Sequence, residues 1–117
     1  MVFVKNDSNL SSRRLKKMKL FAVSVIRKIE SRLNLPKRVL IDWTLSTDMW
    51  DAKPVLFVTS HWYRIQRPQD KNGRRCSEVF AIQENDLCTC LAVDCSIFLF
   101  SASENEVIEH TIKEMEG

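Results

Sequence analysis

The run from Val55 to Gln83, VLFVTSHWYRIQRPQDKNGRRCSEVFAIQ, reads as two strands folded back on each other at Asn72-Gly73. Asn-Gly accepts positive φ at both central positions of a type I′ turn, whose twist matches that of the strands it joins. Such a turn predicts a register: Lys71 opposite Arg74, Asp70 opposite Arg75, Arg67 opposite Glu78, Ile65 opposite Phe80 and Tyr63 opposite Ile82. Opposite-charge and apolar cross-strand pairs are each worth roughly 0.2 to 1 kcal/mol, and a slip by one residue turns the apolar set outward. Val55 to Val58 is continuously apolar, the pattern of a strand end buried on both faces. Arg64 to Arg75 is polar and reads as projecting from the body.

Ahead of this hairpin, Leu15, Met18, Ala22, Val25, Ile26, Ile29 and Leu33 share one helical arc, which predicts a helix from Ser12 to Leu33. Ser11 or Ser12 is placed to cap it, and Asn34 before Leu35-Pro36 ends it, because a residue preceding proline avoids the α region. Leu20 and Val23 lie off the main stripe and suggest a second contact surface, such as another subunit. Residues 37–45 read as a strand with Val39, Ile41, Trp43 and Leu45 on one side, and residues 46–54 as a turn or short helical loop.

Beyond the hairpin, Glu84-Asn85-Asp86 supplies a turn, and Leu87 to Ser101 is strand-like throughout. That run exceeds the usual strand, so a bulge or tight reversal is expected near Asp94. Ser103 and Glu106 have capping-box spacing and start a last helix with Val107, Ile108, Ile112 and Met115 on a narrow stripe. Val2-Phe3-Val4, within residues 1–11, is a short edge strand or a flexible terminus. The expected architecture is a single α+β domain over residues 1–117: an N-terminal amphipathic helix, an antiparallel sheet of four to five strands built on the long hairpin, and a C-terminal helix. The helices cover one sheet face.

Several function classes drop out. Only Gly73 and Gly117 are glycine, too few for a dinucleotide or Walker-type phosphate loop. No apolar run is long enough to span a bilayer, so integral membrane association is not expected. The N-terminus lacks a continuous apolar stretch with a small-residue cleavage site, which points to a cytoplasmic, intracellular protein. Its Arg-, Lys- and Ser-rich composition leaves a mitochondrial destination as the alternative. Cys76, Cys88, Cys90 and Cys95 are then expected as thiols, with Cys88 and Cys90 as small hydrophobes on one strand face rather than zinc ligands. His61 and His110 fall in neither a metal-binding nor a nucleophile-elbow pattern. Neither cofactor nor catalytic activity is expected.

Charge is segregated. Residues 1–40 hold eleven Lys or Arg against two acids, a local net of +9, and residues 84–117 hold eight acids against Lys113, a local net of −7. The blocks pair within one molecule, pair between protomers, or serve separate partners. The expected function is that of a small non-catalytic binding or adaptor domain, acting through a protein partner or as a homodimer. The alternative is nucleic-acid binding by Arg13, Arg14, Lys16, Lys17, Arg27 and Lys28 on the first helix with Trp62, Arg64, Arg67, Lys71, Arg74 and Arg75 on the hairpin. Cations there would neutralise phosphates and the aromatic ring would stack on a base.

Overall fold

The structure, a computed structural model, describes residues 12–34, 41–50, 52–64, 74–84 and 86–116. Helix α1 (Ser12–Arg32) is followed by β1 (Ile41–Trp50), β2 (Lys53–Arg64), β3 (Arg74–Gln83), β4 (Asp86–Val93), β5 (Ser96–Ala102) and helix α2 (Glu104–Glu116). The strands form one antiparallel sheet in the order β1-β2-β3-β4-β5, an uninterrupted meander. The α+β class, the two helices and the five-stranded sheet are those the sequence implies. The positions of Val2-Phe3-Val4, the Ser11 cap and Asn72-Gly73 lie outside the described residues.

Both helices pack on one face of the sheet. Met18, Ala22, Val25, Ile26 and Ile29 from α1 meet Leu56, Val58, Trp62, Phe80, Ile82 and Leu87 from the strands and Val107, Ile108, Ile112 and Met115 from α2. Fully burying a large aliphatic side chain is worth roughly 1.5–3 kcal/mol, so the arc read along α1 is the main bond between helix and sheet. Ser60 interrupts the apolar face of β2 but is satisfied, its hydroxyl donating to the Glu78 carbonyl at 3.1 Å. The capping box of α2 is formed: the Glu106 N–H donates to Ser103 Oγ at 3.1 Å and the Ser103 N–H to Glu106 Oε1 at 3.4 Å.

Two local expectations are corrected. Of the strand read over 37–45, residues 37–40 lie outside the described residues and 41–45 belong to β1, while residues 46–50, read as a turn or short helical loop, continue that strand to a reversal in which Trp50 pairs with Lys53 and Ala52 has φ 62°. Extending β1 gives Phe57, Leu56 and Val55 of β2 a partner strand along their whole length. The β2–β3 register also differs. Ile82 pairs with Leu56 rather than Tyr63, Phe80 with Val58 rather than Ile65, and Glu78 with Ser60 rather than Arg67. The outermost described pairs are Tyr63 with Arg75 and Arg64 with Arg74.

The reason is burial. The observed register aligns Leu56, Val58 and Trp62 with Ile82, Phe80 and Cys76 beneath the helices. Several buried side chains at 1.5–3 kcal/mol each outweigh cross-strand pairs worth at most about 1 kcal/mol.

Candidate interaction surface

Strand β4 belongs to two different neighbours along its length. It pairs with β3 from Gln83–Asp86 to Phe80–Thr89, and with β5 from Leu87–Ala102 to Val93–Ser96. Beyond Thr89 it therefore leaves β3 and continues as a two-stranded arm. The arm closes on Asp94-Cys95, with φ of 48° and 65°, the positive pair that a type I′ turn requires. This is the tight reversal expected near Asp94.

The arm is apolar on both sides. Leu91, Val93, Phe98 and Phe100 point to the helix side, but α2 lies over β3 and the first half of β4, so these four stay open to solvent together with Ile97 on the opposite side. At 44–52% exposure, the four on the helix side leave on the order of 350 Å² of apolar surface in one patch. The largest patch on a typical monomer is of this size and is often functional.

The sheet face away from the helices curls into a hollow of about 620 Å³ that touches every strand, from Trp50 on β1 to Ile97 on β5. On the same face Val55, Ala81 and Cys88 form a small buried cluster against which half-buried Trp50, Phe57, Cys90 and Leu99 pack, and of these Trp50, Phe57 and Cys90 line the hollow. Burial, reinforced by Cys88 and Glu78, pushes the Cys90 thiol up to about 11. Burial and then Asp86 raise that of Cys88. A thiol protonated at neutral pH is a poor nucleophile and a poor metal ligand. No disulfide joins the four cysteines. Among the described residues no group of three or more His, Cys, Asp or Glu is gathered for a metal ion, and no helix is long and apolar enough to cross a membrane.

One polar row crosses the same face. His61 pairs with Asp42 on one side and Ser77 on the other. Its Nδ1 is buried without a hydrogen-bond partner among the described residues, so no serine–imidazole–carboxylate relay is formed. His110 instead lies 3.2 Å from Glu78, tying α2 to β3.

The basic residues divide. Lys28 pairs with Glu104 and Arg32 with Glu109, while the Asn34 N–H donates to Glu116 Oε2 at 3.0 Å, so part of the charge segregation is met within the molecule. Arg64 donates to the Glu114 and Met115 carbonyls at 2.7 and 3.2 Å, where a cation opposes the negative end of the α2 dipole. Trp62 is buried under the helices at 3% exposure and presents no face to a base, which corrects its reading as a stacking residue. Arg13, Arg14, Lys16, Lys17 and Arg27 are exposed along α1, and Arg75 is exposed at the start of β3. Arg67, Lys71 and the Arg74 side chain lie outside the described residues. Leu20 is exposed and Val23 half-buried beside a shallow recess on α1, while the rest of the helix's apolar stripe is consumed by the core.

The β4–β5 arm was not singled out from sequence, although a signal was present. Leu87 to Ser101 carries one charge, Asp94, and is apolar at both strand parities, which needs cover on two faces. Comparison with protein-family models, with curated proteins and with solved structures finds no match.

Proposed function

We propose that the protein is a non-catalytic binding module that acts through protein contacts, with the β4–β5 arm as its contact surface. The carrying observation is the patch of Leu91, Val93, Phe98 and Phe100 left open on the helix side of the arm, with Ile97 exposed on its reverse, beside a well-packed core. Protein interface centres are depleted in charge and enriched in aromatics, the character of this arm. The raised thiols of Cys88 and Cys90 and the unlinked Asp42–His61–Ser77 row supply no activated nucleophile, which supports the non-catalytic reading. Four cysteines kept as thiols suit a reducing, intracellular compartment.

A second reading, nucleic-acid binding, is favoured by one feature. The first turn of α1 has no acid and carries Arg13 and Arg14, cations at the positive end of a helix dipole. Such placement works against the helix and suits a phosphate ligand.

A photo-reactive amino acid at position 98, with a second variant at position 16, separates the readings in cells making the protein. Protein adducts from position 98 above those from position 16 are expected. No adduct at 98, with nucleic acid captured at 16, overturns the proposal in favour of the second reading. Salt provides a further check, since phosphate-driven binding falls steeply with ionic strength whereas an apolar contact persists.

A further inference from the structure

We propose that the partner met by the arm is a second copy of this chain, joined by antiparallel pairing of β5 with the same strand across a two-fold axis. This rests on the arm being the contact surface and names what it contacts. Among the described residues β5 has β4 as its only neighbour, and none of them pairs with its outer edge. Edge strands are ordinarily blunted by lysine, proline, a bulge or brevity, because an open apolar edge recruits other chains. Strand β5, Ser96-Ile-Phe-Leu-Phe-Ser-Ala102, has seven residues, no charge and no proline.

Self-pairing needs a strand that complements itself, and this one does. All seven residues overlap only when the axis passes through Leu99, which sets Ser96 against Ala102, Ile97 against Ser101 and Phe98 against Phe100. No like charges oppose each other, and Phe98–Phe100 occurs twice, an aromatic cross-strand pair of the kind that stabilises sheets. The two-fold keeps both helix layers on the same side, so four phenylalanines gather between them with Leu91 and Val93 behind. The charge-free strand favours a copy of itself over a charged partner, which would have to leave its ions unpaired there.

Sedimentation velocity on the full chain, from about 1 to about 100 µM, tests this against Phe100→Lys and Leu20→Lys, both at exposed positions. The expected result is a concentration-dependent dimer with a micromolar Kd. Phe100→Lys is expected to raise that Kd tenfold or more, with unchanged circular dichroism, and Leu20→Lys to leave it within about twofold. Adducts from position 98 should map to residues 99–101 of another copy.

A wild type that stays monomeric overturns the proposal, and so does a dimer sensitive to Leu20→Lys but not to Phe100→Lys. Should Phe100→Lys lose its fold, the wild-type mass and adduct map decide alone. A monomer whose position 98 captures a different protein removes self-pairing and leaves the arm as contact surface. A monomer with no adduct removes both.

Discussion

Replacing Cys95 by glycine should stabilise the protein, although it deletes a side chain. Cys95 is the second residue of the Asp94-Cys95 reversal and has φ 65°. A residue with a Cβ held in the left-handed region loses roughly 1–2 kcal/mol to contact between that carbon and the following carbonyl, whereas aspartate at the first position is better tolerated. Glycine removes this strain but gives back roughly 0.5–1 kcal/mol as extra freedom of the unfolded chain. The thiol itself is exposed, so little packing is lost. The net expectation is a gain of about 0.5–1 kcal/mol, or about 2–4 °C in Tm for a domain of this length.

Circular-dichroism melts in reductant at one fixed protein concentration would measure it, since association raises apparent stability. Cys95→Ala isolates the cause, because it removes the sulfur and keeps the Cβ; it should melt with the wild type. Cys95→Val should melt lower. If the glycine variant is no more stable than the alanine variant, backbone strain at the turn is refuted and with it the type I′ geometry that aims the arm.

Other consequences are more direct. The Cys90 thiol, pushed up to about 11 from an ordinary value near 9, should be alkylated at pH 8 roughly a hundredfold more slowly than an unperturbed thiol, by its smaller thiolate fraction; peptide mapping after timed labelling would show it. The same shift makes the native state hold a proton that the unfolded state releases near pH 9. Stability from Cys90 is therefore fully present below pH 9 and lost as pH rises through about 11, and urea titrations should show a shallower decline for Cys90→Ala. Ser103→Ala removes the hydroxyl that accepts the Glu106 N–H and should cost about 1 kcal/mol in the same titration. Ile29→Ala, at a fully buried position in the last turn of α1, should cost roughly 2–5 kcal/mol, while Leu20→Ala on the exposed side should stay within about 0.5 kcal/mol.

What could be read from sequence was local. The arc from Leu15 to Ile29, the Ser103–Glu106 capping box and a break at Asp94 each depend on residues a few positions apart, and each is found in the structure. The β2–β3 register departs from the one Asn72-Gly73 implies, because the faces of Leu56, Val58 and Trp62 are decided by helices distant in sequence. Residues 46–50 depart from their local signal for a related reason. Asp48 and Asp51 look like turn formers, yet Asp48 lies on the exposed face of β1 and spends its carboxylate on the Met49 N–H at 2.7 Å. The candidate surface was the least legible part. Sequence alone showed that Leu87 to Ser101 is apolar at both parities; only the placement of α2 shows which of those residues remain uncovered.

That placement follows from how the two helices meet. Apolar side chains of α1 and α2 share one core, but apolar contact alone leaves α2 some choice of position along and across the sheet. Polar contacts narrow the choice: Lys28 with Glu104 and Arg32 with Glu109 hold α2 beside α1, His110 with Glu78 holds it over β3, and Arg64 holds its last carbonyls at the end of β2. Exposed pairs of this kind add only about 0–1 kcal/mol each, so their effect is on arrangement more than on stability. With α2 drawn toward α1 and β3, it cannot also lie over Leu91, Val93, Phe98 and Phe100. The segregation of charge between the two ends of the chain is thereby tied to the exposure of the β4–β5 arm: the contacts that anchor the acidic helix beside the basic one keep it off that strand pair.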